Sequence, residues 1–231
     1  MKVEIWSDVM CPFCYIGKRR FEDALAQFEH GSEIEIEWKS FQLNPLMKTD
    51  PNISIHDYLA ETKGWQPEYA RQLNDQVTGM AAEVGLTYNM DQAVVANSFD
   101  AHRFTHYAKL NGVGIEAEEQ LFRAYFTDGK NIADHDVLAG LGSNIGLNPE
   151  NIKEALATNA YSDEVHYDLR EAQELGISAV PFFVLDRKYA VSGAQPEAVF
   201  LDALQKAYSN QQIEIVADDT DNSCDIDGNN C

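Results

Sequence analysis

Residues 2–18 read KVEIWSDVMCPFCYIGK, and the fold turns on them. Val3 to Trp6 is a short run of apolar and β-favouring residues closed by Ser7-Asp8, which predicts a strand. From Pro12 onward Tyr15, Phe21, Leu25 and Phe28 recur at roughly helical spacing among charged residues, with Gly31 as the expected stop. Ile34, Ile36 and Trp38 then alternate with Glu33, Glu35, Glu37 and Lys39, the period of a half-buried strand. The chain therefore opens β–α–β, a unit whose two strands run parallel through a right-handed crossover.

Working outward, the stretch from about Ile53 to about Leu175 offers no convincing strand. It shows helical periodicity broken by Gly and Pro, as in Tyr69–Val84, Val94–Leu110, Glu116–Phe126 and Glu150–Ala157. β character returns in Phe182–Leu185, turns at Asp186-Arg187-Lys188, resumes in Tyr189–Val191 and closes at Ser192-Gly193. Pro196 opens a last helix to about Tyr208. A hairpin plus a helix cannot bury itself alone, so it is expected to complete the N-terminal sheet. That gives an α/β chain divided as 1–52 and 176–210, the two halves of one β–α–β…β–β–α domain, with 53–175 as an inserted all-helical domain. Residues 211–231 form an acidic, aperiodic tail that carries a second Cys pair.

Composition bounds the function. The chain has 231 residues, and 38 Asp+Glu against 17 Lys+Arg give a net charge of −21, a field that repels nucleic acid and anionic lipid. The N-terminus lacks the apolar core of an export signal, and no window approaches the roughly 18 uninterrupted apolar residues of a membrane span. These features predict a soluble cytoplasmic protein with neither nucleic-acid nor membrane partners. In a reducing compartment the close pair Cys11 and Cys14 is more naturally catalytic or metal-binding than structural.

Cys11-Pro12-Phe13-Cys14 follows a predicted strand and begins a predicted helix. Unpaired amides and the positive dipole end at such a terminus stabilise a thiolate at Cys11. Pro12 costs nothing in a first turn, where its missing N–H would be unpaired anyway. Cys14, three residues on, shares the helix face of Cys11 at about 5–6 Å, a separation that a disulfide can bridge. Cys11 at the exposed end would attack a substrate disulfide, and the more shielded Cys14 would resolve the mixed disulfide. Zinc binding and two inert thiols are the competing readings; zinc needs two more ligands, and the remaining cysteines, Cys224 and Cys231, are widely spaced in the tail. Val180-Pro181 ahead of Phe182 reads either as a plain trans strand start or as a cis-proline whose preceding backbone, at Val180, pairs with an extended substrate. Pro12 and Phe13 complete the candidate substrate contacts, Phe13 also tuning the redox pair.

Beyond Cys11–Lys18, the segments Phe41-Gln42-Leu43-Asn44-Pro45, Ala101-His102-Arg103, Ala124-Tyr125-Phe126-Thr127-Asp128-Gly129, Gly176-Ile177-Ser178-Ala179-Val180-Pro181 and Ser192-Gly193-Ala194-Gln195-Pro196 together resemble the DsbA-like oxidoreductase family, FrnE branch, over about Lys2 to Tyr208. The resemblance implies a thioredoxin fold interrupted by a helical domain, a cis Pro181, and disulfide exchange with protein or small-molecule thiols. It implies no cofactor beyond the redox-active disulfide. The same superfamily holds 2-hydroxychromene-2-carboxylate isomerases and kappa-class glutathione transferases. A glutathione-dependent isomerase or transferase is accordingly the alternative, with glutathione as thiol co-substrate, although an enzyme borrowing that thiolate has no need of an intact Cys pair. A non-catalytic, chaperone-like binding module using the groove beside Pro181 is a further alternative. Cys224 and Cys231 read as an accessory redox shuttle or, slightly favoured, as a simple tail pair. Asp8 is read as a turn residue or helix cap in preference to a proton relay. His102 and His106, four apart on one helix, have a metal-compatible spacing but no third ligand fixed by the sequence, and no metal is assigned.

Overall fold

A computed structural model describes residues 1–210, so Cys224, Cys231 and the tail reading attached to them lie outside the described residues. Strand β1 (Lys2–Ser7) leads through helix α1 (Pro12–Gln27) to strand β2 (Glu35–Ser40). β1 and β2 are parallel, with Val3 beside Ile36 and Ile5 beside Trp38. The helix ends at Gln27, short of Gly31. That glycine serves close packing: a Cβ on it would meet the Leu25 carbonyl at 2.3 Å.

Next come strand β3 (Asp50–Ser54), helices α2 (Ile55–Lys63) and α3 (Pro67–Glu83), and strand β4 (Val94–Val95). Helices α4 (Phe99–Leu110), α5 (Gly114–Phe126), α6 (His135–Asn144), α7 (Pro149–Ala157) and α8 (Ser162–Glu174) follow. Two expectations are corrected here. The segment is not all-helical, because β3 and β4 form a small antiparallel sheet that a two-residue strand cannot announce by periodicity. The helix expected from Val94 starts at Phe99, since the Asn97 side chain accepts the Phe99 amide at 2.9 Å and donates to the Met47 carbonyl at 2.8 Å, turning the chain. Buried Arg103 fastens the segment together: it donates to the carbonyls of Ala155, Thr158 and Ala160 at 2.9, 2.5 and 2.8 Å, satisfying acceptors that α7 leaves open at its end.

Strands β5 (Phe182–Leu185) and β6 (Tyr189–Ser192) and helix α9 (Glu197–Ser209) close the described chain. The sheet order is β2-β1-β5-β6, with β5 antiparallel to both β1 and β6. Asp186 and Arg187 both take positive φ, 52° and 55°, the pattern of a type I′ hairpin turn. α9 lies against α1, where Phe21, Phe183 and Phe200 meet with ring centroids 4.6–5.7 Å apart. α5 and α8 pack on β2. This explains a departure from the alternation expected there: Lys39 and Ser40 are both buried because Asp168 of α8 accepts Lys39 Nζ at 3.0 Å and the Ser40 amide at 2.9 Å. The architecture is a thioredoxin fold with helices intercalated between β2 and β5. Among the described residues no helix is long and apolar enough to cross a membrane.

Candidate active site

The head of α1 sets the site. Cys11 occupies the N-cap position in extended conformation with no side-chain capping bond, and Pro12 takes the first turn, where its lack of an N–H is harmless. The Cys11 amide donates to the Asp8 carbonyl at 2.9 Å and the Cys14 amide to the Cys11 carbonyl at 3.0 Å. The two thiols are consequently close neighbours, near enough for the Cys11 sulfur to act on the Cys14 thiol. Cys14 is wholly buried, and burial together with the neighbouring Cys11 sulfur pushes its thiol well up. Cys11 is less exposed than expected, at 4%, because the loop before β5 covers it. Its thiol donates to the Val180 carbonyl at 3.5 Å.

The Val180-Pro181 bond is cis. Pro181 sits against α1 at Gly17, where a Cβ would come within 2.9 Å of its ring. Phe13, by contrast, is 39% exposed and marks the outer face of the motif, while Pro12 is half-buried. All six candidate residues of the described chain, Cys11, Cys14, Pro12, Phe13, Val180 and Pro181, are thereby gathered around one helix terminus. Beside Met10 and Pro12 opens an apolar pocket of about 400 Å³, lined also by Met47, Tyr58, Met90 and Tyr125.

Several neighbours carried no usable sequence signal. Tyr88, from an aperiodic stretch ahead of β4, donates its hydroxyl to the Pro12 carbonyl at 2.7 Å and is held un-ionised by burial and by the nearby sulfurs. Lys18, only 3% exposed, pairs with Glu22 at 2.5 Å and Glu119 at 2.6 Å. Arg19 and Tyr15 also hydrogen-bond Glu119, joining α1 to α5. Burial alone would raise the Glu119 carboxyl, but Arg19 and Lys18 reverse that and hold it at about 2.

The helix-cap reading of Asp8 is corrected. Its carboxylate is fully buried and accepts the Leu43 amide at 2.8 Å and the Met10 amide at 3.4 Å, so it organises the turn without reaching α1. His102 and His106 point to different partners. His102 Nε2 stands 3.6 Å from Asp8, whereas His106 Nε2 meets Asp168 at 3.1 Å and Ser40 at 3.2 Å.

A four-stranded sheet of this order, with a dithiol heading its first helix and a cis-proline loop across from it, defines a thioredoxin-type protein. Within that class, the chain belongs to the family of the DSBA-like thioredoxin domain, whose model matches residues 2–205. A probable DsbA oxidoreductase from Streptomyces coelicolor is 39% identical, with a TM-score of 0.86 over 99% of this chain and 97% of its own. The uncharacterized protein YwbO of Bacillus subtilis is 30% identical, covering 91% of this chain and 96% of YwbO. At 17% identity the fold recurs in the cytosolic disulfide reductase DsbM from Pseudomonas aeruginosa, solved with GSH, with a TM-score of 0.63 over 90% of this chain and all of that one (100%).

Proposed function

We propose that the protein is a dithiol–disulfide oxidoreductase acting through Cys11 and Cys14 on protein or small-molecule disulfides. The observation that supports this reading is the hydrogen bond of the Cys11 thiol to the Val180 carbonyl, with the buried Cys14 as its neighbour one turn into α1. Cys11 attacks one sulfur of the substrate disulfide and expels the other as a thiolate. Cys14 then attacks the Cys11 sulfur, the mixed disulfide breaks, and the second substrate thiol leaves. In this reading the Val180 carbonyl, once released by the Cys11 thiol, accepts an amide of an extended substrate, and the exposed Phe13 ring packs against that chain. Rearrangement of wrongly paired disulfides needs only that Cys11 leave again before Cys14 acts, so isomerase activity belongs to the same site. A reducing, cytoplasmic setting would keep the pair available as a dithiol.

Glutathione is the small thiol co-substrate we assign, on the strength of the DsbM fold solved with GSH. The experiment is trapping. Cys14→Ser should accumulate a covalent adduct on Cys11 with a disulfide-bonded peptide or with oxidised glutathione, and Cys11→Ser should abolish turnover. An enzyme that only borrows the glutathione thiolate would instead retain turnover after Cys11→Ser, and no adduct with either substrate would end the oxidoreductase reading.

A further inference from the structure

The apolar pocket beside the dithiol holds polar groups that the reaction proposed above does not use. Its wall is shared between Met10 and Pro12, the residues that flank Cys11, and the intercalated segment, through Tyr58 and Leu59 of α2 and Tyr125 of α5. Neither Phe13 nor Pro181 lines it, so it is separate from the strip where an extended chain would pair with Val180. Tyr125 is only 1% exposed, yet among the described residues its hydroxyl makes no hydrogen bond. The Tyr58 hydroxyl accepts the Asn44 side-chain amide at 2.7 Å, which leaves its own proton free to donate. The two phenols are close neighbours, and burial, Asp8 and Tyr58 hold Tyr125 un-ionised. Two phenolic donors on one cavity wall suit a hydrogen-bond acceptor that a ligand brings.

The rest of the wall narrows the ligand further. Met10, Met47 and Met90 line the pocket together with the two tyrosine rings, a surface that adapts to flat aromatic groups through sulfur and ring contacts. The volume of about 400 Å³ lies at the small end of the roughly 300–1,000 Å³ range of small-molecule sites. Cys11 itself is covered by the loop before β5 and is 4% exposed, which favours a compact substrate over a bulky one.

We propose that this pocket selects small aromatic disulfides, holding one half of the substrate as a ring whose hydrogen-bond acceptor meets the Tyr125 and Tyr58 hydroxyls while its sulfur is presented to Cys11. This names a substrate class for the oxidoreductase reading above and rests on it. The Cys11 thiolate attacks the sulfur of the bound half, and the substrate disulfide breaks with its electron pair on the other half, which leaves and takes a proton from solvent. Cys14 then loses its proton to solvent and attacks the Cys11 sulfur, and the bound half leaves as a thiolate that is protonated in turn. Two electrons pass from the dithiol to the substrate, giving two aromatic thiols and one Cys11–Cys14 disulfide. Two equivalents of glutathione, the thiol co-substrate assigned above, restore the dithiol and become its disulfide.

The test is a single turnover of the pre-reduced protein with 4,4′-dithiodipyridine, whose ring nitrogen lies opposite the sulfur, and with bis(2-hydroxyethyl) disulfide, which has no ring. Modification of Cys11 is followed by acid quench and mass spectrometry, and each rate is divided by that of the same disulfide with free glutathione to remove intrinsic reactivity. The corrected preference for the aromatic probe should be about tenfold or more. Tyr125→Phe, which deletes one donor, and Leu59→Trp, which fills the cavity, should each raise the half-saturation concentration of the aromatic probe about tenfold. Absence of a corrected preference, or a preference and half-saturation concentration that both variants keep, would overturn the proposal and leave the oxidoreductase reading intact. Failure of both disulfides to modify Cys11 would overturn that reading itself. Should the variants not fold, 4-(methylthio)pyridine decides on the unaltered protein. This analogue has no disulfide to exchange and should compete with 4,4′-dithiodipyridine; absence of competition would equally overturn the proposal.

Discussion

A methyl group on Gly17 would stand 2.9 Å from the Pro181 ring, and neither that ring nor the helix backbone can swing aside as a flexible side chain could. Gly17→Ala should therefore push the Val180-Pro181 loop away from Cys11. Overpacking of this kind costs about 1–3 kcal/mol. Chemical denaturation should register that loss, and mixed-disulfide formation should slow; a variant of unchanged stability and rate would show that the loop does not depend on close contact with α1. Tyr88 offers a milder perturbation from the opposite side. Tyr88→Phe removes the hydroxyl that meets the Pro12 carbonyl and should lower stability by about 1 kcal/mol, measured by the same denaturation. The dithiol was legible in the sequence because Cys-x-x-Cys is a local spacing in a strand-to-helix context. Tyr88 and Glu119 were not, because their relation to Cys11 is created by packing across roughly a hundred residues or more of chain in the case of the glutamate, and by an aperiodic loop in the case of Tyr88.

Between elements, α1 and α5 are joined by Lys18, Arg19 and Tyr15 converging on Glu119, with the Tyr15 ring stacked on Phe122 at 4.9 Å. The folded carboxyl of Glu119 is held at about 2, below its ordinary value near 4.5, so folding favours the ionised form. This stabilisation is complete above the unfolded value and is lost as pH falls through the folded one. Stability should accordingly decline on acidification between about pH 5 and pH 2, and Glu119→Gln should flatten that decline while lowering stability at neutral pH. Urea midpoints recorded across this range would check it; parallel curves for the two proteins would show that the network contributes nothing. The elements themselves were largely readable. β1, α1, β5, β6 and α9 follow their periodicities to within a few residues. β4 and the true start of α4 were hidden, because two residues define no period and Asn97 redirects the chain through long-range bonds to the backbone near Met47.

For the whole molecule, the buried residues of the sheet and of the intercalated helices form one continuous core running from Val3 through Phe122 to Leu204. The ring of Phe122 in α5 stacks on Tyr15 of α1 and lies edge-on to Trp38 of β2. Removing it should be felt by both parts: Phe122→Ala should cost about 3–5 kcal/mol. Unfolding followed by tryptophan fluorescence, dominated by buried Trp6 and Trp38 of the sheet, should coincide with unfolding followed by far-ultraviolet dichroism, dominated by the helices. Separate midpoints would mean that the helical segment unfolds on its own. The sequence by itself determined the strand–dithiol–helix opening and the hairpin-and-helix close, because these rest on periods of two and 3.6 residues and on spacing within one turn. Only the tertiary structure decided that Val180 faces the Cys11 sulfur, that Asp8 turns inward toward His102, and that α5 and α8 both pack on β2. Those relations join positions up to 169 residues apart, and no local pattern encodes them.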